Sequence, residues 1–315
     1  MISVVIVTYN SIQVLPDCLK SLEETSVSLG LEVILVDNCS SDGTWDWLIQ
    51  YQNSKPRLGR VKLIRLHENR GYSYANNRGA EIASGEILLL LNPDTIVGEK
   101  TIEICAESLL DDASIGAVGC RLLLPNGKLD KACRRSLPTL WNSFTRLSGL
   151  SMIFPKSHLF SRYNLTYLDQ IGNYEVECIC GAFFMIRKST YELLHGLDED
   201  YFMYGEDVDL CYRLRRAGYR IYYLGDAVTI HLKGANGGKR SALSLQHFYR
   251  TMLVYYDKHY SMKYPRLLRS LLSLVVRSMF IFHVTWINVR QNASRVLKLF
   301  VFTSKDHNVK PSHIR

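Results

Sequence analysis

Residues 86–95 read EILLLLNPDT. Four consecutive leucines with no polar interruption predict a strand buried on both faces, the pattern of a central strand in a parallel sheet. The run ends on Asn92-Pro93-Asp94. A carboxylate beside a buried strand is costly unless it is paired, solvated or bound to a metal. Asp94 therefore either caps the next turn in solvent or holds something at the strand's end.

The surrounding sequence repeats the theme. SVVIVTY (3–9), LEVILVD (31–37) and VKLIRL (61–66) are further short apolar runs. Between them, Val14, Leu15, Cys18, Leu19 and Leu22 recur at helical spacing, and helices are expected near 44–51 and 72–83. Strand and helix in alternation predict right-handed βαβ units and an open parallel sheet. Ligands of such sheets bind outside the carboxyl ends of the strands. Three strands here end alike, on Thr8-Tyr9-Asn10, Asp37-Asn38 and Asn92-Pro93-Asp94. Each alone suits a turn, but three on one sheet edge mark a site. An acid such as Asp37 also ends the second strand of dinucleotide-binding folds. There the first strand leads into a Gly-x-Gly-x-x-Gly turn. TYNSIQ (8–13) contains no glycine, which disfavours a nicotinamide dehydrogenase and leaves nucleoside binding open.

After about residue 115 the pattern changes. A hairpin-like excursion is expected around Asn126-Gly127, then an irregular, aromatic-rich stretch over 134–177. CICGAFFMIR (178–187) reads as a buried strand, YRIYYLG and AVTIHL as two short strands, and 244–260 as a helix. A helix should run from Gly205-Glu206-Asp207 to Ala217-Gly218. Its acids Glu206, Asp207 and Asp209 lead and its bases Arg213, Arg215 and Arg216 follow. That order complements the helix dipole. Two adjacent carboxylates beside aromatic residues also make a candidate general base. Asn92-x-Asp94 suits magnesium or manganese, which take oxygen ligands and substrate phosphates. His231, at a strand end, is a core histidine or a metal ligand facing Asp94.

The chain has 315 residues, 47% apolar and 11% aromatic, as in a folded protein of one large α/β domain with an appendage, or of two domains. Eight scattered cysteines form no Cys-x-x-Cys, so a zinc or thioredoxin-like motif is not expected and reduced cytosolic thiols are. Met1-Ile2 opens straight into a strand, so no targeting segment is expected. From Lys258 onward there are eleven Lys/Arg and one acid, a net +10, against +8 for the whole chain. The body is nearly neutral, and the basic character belongs to the tail. Within the tail, 267–289 is long enough to span a bilayer. An arginine near the middle of a span costs about 2.5–3.5 kcal/mol, and Arg277 lies there. Arg266, Arg269, Ser273 and Arg277 recur at helical spacing. They predict an amphipathic helix lying on anionic lipid. No nucleic-acid recognition motif accompanies the charge, so no nucleic-acid partner is expected.

In order along the chain, SVVIVTYN, VDNCSSDGT, ENRGYSYANNRGAEIASGEILLLLNPDT, CGAFFMIRKS and YFMYGEDVDLCYRLRRAGY…IHLKG resemble the inverting glycosyltransferases of family 2. The resemblance covers about residues 1–240 and is nearest the rhamnosyltransferase-like branch of bacterial polysaccharide synthesis. It implies a GT-A nucleotide-diphospho-sugar transferase fold, an α/β architecture with a mostly parallel central sheet flanked by helices and a helical tail. The expected division is a catalytic domain over 1–240, with a nucleotide-binding half (1–115) and an acceptor half (116–240), then a basic helical, membrane-associated region over 241–315. By the same resemblance Thr8, Asn10, Asp37, Asn69, Gly71, Asn76 and Asn92 line the nucleotide pocket. Asp94 and His231 hold a divalent cation, Mn²⁺ or Mg²⁺; Asp207 is the catalytic base and Glu206 lies beside the acceptor. Asn92 departs from the Asp-x-Asp form of relatives, and Arg134-Arg135 either meet the acceptor or are solvated. The implied donor is dTDP-L-rhamnose, with a UDP-hexose as the alternative. The implied acceptor is a lipid-linked oligosaccharide, used by a cytoplasmic enzyme peripheral to the inner leaflet. A sugar nucleotidyltransferase would need a Gly-rich, Arg-containing loop where TYNSIQ stands. A non-catalytic nucleotide-sugar-binding protein is the third reading.

Overall fold

This computed structural model describes residues 1–25, 30–54, 56–233 and 242–305, with backbone alone for 242, 288 and 290–305. The chain divides into two compact units, Met1–Lys239 and Arg240–Arg315. Gly234, which ends the IHLKG motif, and the boundary expected at 240/241 lie outside the described residues.

The first unit begins with β1 (Ile2–Thr8), α1 (Leu15–Thr25), β2 (Leu31–Asp37), α2 (Thr44–Asn53), β3 (Arg60–Arg65), α3 (Tyr72–Glu81) and β4 (Ile87–Leu91). Next come β5 (Thr95–Val97), α4 (Thr101–Asp111), β6 (Ile115–Leu123), β7 (Arg134–Arg135), α5 (Leu140–Leu147) and α6 (Leu150–Ile153). It closes with β8 (Tyr174–Val176), β9 (Cys178–Ile179), β10 (Phe183–Arg187), α7 (Lys188–Leu193), α8 (Glu206–Arg216) and β11 (Arg220–His231). The main sheet runs β3-β2-β1-β4-β10-β6-β11-β5, with β8 beside β11. Every residue of β1, β2 and β4 is buried. Side chains are thus covered on both faces of these strands. That explains why they are apolar apart from Ser3 and Glu32, which bond to each other, and from Thr8 and Asp37 at the strand ends. Burying one leucine contributes about 1.5–3 kcal/mol.

The parallel order expected from strand–helix alternation holds for β3, β2, β1 and β4. Beyond β4 the sheet is mixed. Strand β10 returns from the 124–182 excursion at the carboxyl end of β4, so it pairs antiparallel, Phe183 opposite Leu91. The two short strands expected over 219–232 are one continuous strand, β11, whose register with β6 breaks between Leu224 and Val228. The irregularity bends the strand without ending it. The excursion at Asn126-Gly127 is a turn, closed by Gly127 N–H donating to Leu124 O at 2.8 Å, and its return arm keeps only a Leu123–Leu129 bridge.

Only Asn92-Pro93-Asp94 separate β4 from β5, yet β5 pairs with the last residues of β11, Thr95 opposite His231. The bent end of β11 therefore comes round to the carboxyl edge of β4.

In the second unit, α9 (Ala242–Tyr260) packs on α10 (Arg266–Lys305) through Tyr249, whose ring lies 5.9 Å from that of Phe280. Tyr256, Tyr260 and Tyr264 stack successively at the turn between them. The stretch Arg266–Ile287 is long and apolar enough to cross a membrane, and none of it is buried.

Candidate active site

The ends of β1 and β2 meet first. Thr8 Oγ1 donates to Asp37 Oδ1 at 3.2 Å, and the Ser40 N–H donates to Asp37 Oδ2 at 3.2 Å. Both side chains are fully buried. A carboxylate has about four lone-pair sites, so Asp37 retains accepting capacity beyond these two bonds. Asn10 stands in the left-handed region at φ 52, and its Oδ1 accepts from Ser41 N at 2.8 Å. Asn38 Nδ2 donates to Asn69 Oδ1 at 2.9 Å and to Gly71 O at 3.2 Å. It thereby ties the 69–71 loop to the end of β2. Gly71 has φ +92, and a Cβ there would fall 2.5 Å from Phe202 O. Tyr72 N donates to that same carbonyl at 2.7 Å. Asn76 is fully buried on α3, with its Nδ2 on Tyr72 O and its Oδ1 without a partner.

The β5–β11 pairing makes the second corner. His231 Nε2 faces Asp94 Oδ1 at 3.4 Å, and His231 Nδ1 lies 3.0 Å from Asp130 Oδ2. Lys233 Nζ reaches Asp130 at 3.3 Å. Burial disfavours a charged ring, but the hydrogen bonds to Asp130 and Asp94 outweigh it and raise the His231 pKa to about 9. Burial also opposes charge on Asp130, yet His231, Lys233 and the Ala132 N–H hold it well below the usual carboxylate range. Asp94 keeps a quarter of its side chain exposed. Among the described residues no three His, Cys, Asp or Glu form a metal-binding group. One carboxylate and one imidazole, once the ring gives up its Nε2 proton, nonetheless fit a cation that takes its remaining ligands from phosphate and water. A histidine whose second nitrogen is held by a carboxylate is the usual supporting arrangement.

The third corner opens α8, whose N-cap is Gly205 at φ 87. The three acids at this helix start have separate environments. Asp209 is buried and pairs with Arg213 at 2.6 Å, one turn along. Glu206 is buried, and its Oε2 has no partner. Burial and neighbouring Asp207 push its carboxyl up to about 8, so it is protonated at neutral pH. Asp207 Oδ2 accepts from Arg135 Nη2 at 2.6 Å and from Gly181 N at 3.2 Å. Both members of the Arg135–Asp207 pair are 12% exposed.

The 180–182 loop connects the corners. Gly181 N donates to Asp207, Gly181 O accepts from Tyr72 OH at 3.1 Å, and Ala182 O accepts from Asn92 N at 3.1 Å. This follows from the β4–β10 register, which sets the start of β10 against Leu91 and hence the 180–182 loop beside Asn92.

Asp130 and the Asp207-pairing role of Arg135 are absent from the sequence-based expectation. Asp130 follows a turn 101 positions from His231, and no local pattern relates them. Arg134 and Arg135 are neither freely solvated nor equivalent. Arg134 is buried, donates to Leu168 O at 2.7 Å and to Asp169 O, and lies over the Tyr223 and Tyr174 rings.

Comparison with known proteins gives the family. The family model described as Glycosyl transferase family 2 matches residues 3–194, and one described as N-terminal domain of galactosyltransferase matches 168–232. The N-acetylglucosaminyl-diphospho-decaprenol L-rhamnosyltransferase of Mycobacterium tuberculosis is 30% identical over 275 residues, 82% of this chain and 85% of that one. The mannosyltransferase PcManGT from Pyrobaculum calidifontis, solved with GDP-Man and Mn²⁺, aligns with a TM-score of 0.58 at 19% identity over 89% of this chain and 69% of its own. S. aureus TarS 1-349 aligns with a TM-score of 0.53 at 18% identity over 80% of this chain and 63% of its own. These two share the fold. A family model over more than half the chain, and a relative matched along most of both lengths, show that the protein belongs to glycosyltransferase family 2, in its rhamnosyltransferase-like branch, as an enzyme of GT-A fold.

Proposed function

We propose that the protein is an inverting glycosyltransferase that moves L-rhamnose from dTDP-L-rhamnose to a hydroxyl of a lipid-linked glycan. The observation that carries the transfer chemistry is the 180–182 loop. It bonds to the Asp207 carboxylate on one side and to the Asn92-Pro93-Asp94 turn on the other. A candidate base and a candidate diphosphate-binding turn are thus held by one short segment. Sugar and acceptor class are supported by the name of the mycobacterial relative, an L-rhamnosyltransferase acting on a decaprenol-linked sugar.

In this reading Thr8, Asn10, Asp37, Asn69, Gly71, Asn76 and Asn92 form the nucleotide side. Asp94 and His231 would hold Mn²⁺ or Mg²⁺, with Asp130 fixing the ring, and such an ion neutralises charge on a diphosphate leaving group. Asp207 takes the proton of the acceptor hydroxyl. The acceptor oxygen attacks the anomeric carbon from the face opposite the diphosphate, the carbon–oxygen bond to the diphosphate breaks, and the configuration inverts. Arg135 keeps Asp207 oriented, and neutral Glu206 can donate a hydrogen bond to the acceptor. The apolar span Arg266–Ile287 supports attachment to the membrane that carries such an acceptor.

The galactosyltransferase-domain match over 168–232 favours a UDP-hexose donor as second reading. Calorimetric titration with dTDP-L-rhamnose, UDP-glucose and UDP-galactose, with and without Mn²⁺, separates the two. Metal-dependent binding of dTDP-L-rhamnose alone is expected. Binding of a UDP-sugar alone overturns the rhamnose assignment, and binding of none by the folded protein overturns the donor reading altogether. The anomeric configuration of the product, read by NMR, tests inversion.

A further inference from the structure

Helix α5 is turned the wrong way for a surface in water. Its buried residues are polar, Asn142 and Thr145, while Trp141, Phe144 and Leu147 face outward at 44%, 55% and 48% exposure. The inward polar groups are satisfied: Asn142 Nδ2 donates to Ser136 Oγ at 2.8 Å and Thr145 Oγ1 to Asn142 O at 3.2 Å. The orientation is therefore built in and not a packing accident. Helix α6 continues the outward apolar face with Met152, Ile153 and Phe154, and it has no buried residue. The Trp141 ring is braced by Phe144 and Phe160, and its N–H donates to Leu159 O at 3.0 Å.

An apolar face of this extent on a soluble surface marks an interaction site. Its charge points to the partner. Of the six Lys/Arg from Lys131 to Leu168, Arg134 is buried and Arg135 is paired with Asp207, which leaves Lys131, Arg146, Lys156 and Arg162 exposed in a stretch with no Asp or Glu except Asp130 just before it. Two of the bases, Arg146 and Lys156, are exposed within the apolar stretch itself. Aromatic and aliphatic side chains facing outward among bases, with neighbouring Glu177 neutralised by Arg162 at 3.5 Å, suit the headgroup and acyl boundary of an anionic bilayer. The segment also joins the candidate active site directly, since Ser136 N donates to Tyr163 O and the preceding residue, Arg135, pairs with Asp207.

We propose that α5 and α6 form a membrane-docking face of the catalytic unit itself, which inserts Trp141, Phe144, Leu147, Met152, Ile153 and Phe154 into an anionic phospholipid surface. This face belongs to the first unit, not to the unit that carries the apolar helix α10, and does not depend on the identity of the donor sugar. Docking there brings the Arg135–Asp207 side of the unit to the lipid surface.

The test uses the full chain and vesicles of brominated phosphatidylcholine with one-third phosphatidylglycerol. Tryptophan quenching is compared between wild type and Trp141→Phe, so that the difference reports residue 141 and not Trp286 of α10. The expected result is that Trp141 is quenched, and that Phe144→Ser/Met152→Ser/Ile153→Ser lowers vesicle affinity at least tenfold. All three side chains are exposed, so the variant should keep the wild-type circular dichroism. Vesicle binding with Trp141 unquenched would show that α10 binds alone and overturn the proposal. Equal affinity of wild type and the triple variant, or equal quenching by vesicles without phosphatidylglycerol, would overturn it too.

Discussion

Removing the charge of Asp207 should separate its part in stability from its proposed part in the chemistry. The Arg135–Asp207 contact is 2.6 Å, with both side chains 12% exposed. At an effective dielectric of about 20, such a contact is a gross attraction of about 6 kcal/mol. Desolvation of both groups offsets much of it, so the pair's net contribution is small, but losing one partner strands a buried charge at a cost of about 3–5 kcal/mol. In Asp207→Asn the amide oxygen still accepts a hydrogen bond from Arg135, so the lower figure, about 3 kcal/mol, applies. For a unit of this size that is a fall of roughly 6–12 °C in melting temperature. Loss of a general base should separately lower turnover by about 10²–10⁴-fold.

The double variant Arg135→Met/Asp207→Asn distinguishes the effects. It removes the stranded guanidinium, so it should recover at least half of the lost stability and none of the turnover. Thermal unfolding and transfer from dTDP-L-rhamnose to a lipid-linked acceptor are the two readouts. If Asp207→Asn keeps near-normal turnover, Asp207 is not the base. If the double variant is no more stable than the single one, the buried-pair reasoning fails.

Three other outcomes follow from the same geometry. Asp130→Asn should weaken Mn²⁺ binding about 10–100-fold by freeing the His231 ring, and unchanged affinity by calorimetry would remove Asp130 from the proposed metal corner. Glu206 has its carboxyl raised from 4.5 to about 8, first by burial and then by Asp207. Its stabilising contribution is therefore full below 4.5, falls as pH rises because the unfolded chain ionises first, and is gone above about 8. Each pKa unit corresponds to about 1.4 kcal/mol. Glu206→Gln should flatten the loss of unfolding free energy between pH 5 and 8.5 in urea titrations, and identical slopes would contradict a neutral Glu206. Gly71→Ala should destabilise the protein by about 1–3 kcal/mol and weaken donor binding, since φ +92 and a Cβ 2.5 Å from Phe202 O force the 69–71 loop away. A melting temperature equal to wild type would show that the loop yields freely.

What the sequence discloses about this site depends on the range of the interaction involved. The apolar runs of β1, β2 and β4 are legible because a strand covered on both faces needs mostly apolar residues. Their polar ends, Asn10, Asp37 and Asp94, stand out against that background. The direction of β10 is not legible, because it depends on where a long excursion re-enters the sheet. Nor is Asp130, which reaches His231 only after β5 pairs with the bent end of β11. Arg135 shows the same limit: the pair Arg134-Arg135 looks uniform in sequence, yet one guanidinium is spent on Leu168 and Asp169 and the other on Asp207. Helix α5 fails for a different reason. The 134–177 stretch reads as irregular, yet Leu140–Leu147 forms a helix, whose polar side is claimed by Ser136 and the 142–145 hydrogen bonds while its apolar side faces outward. A strand's interior can thus be inferred from polarity alone. A helix whose apolar side faces outward, as that of α5 does, cannot.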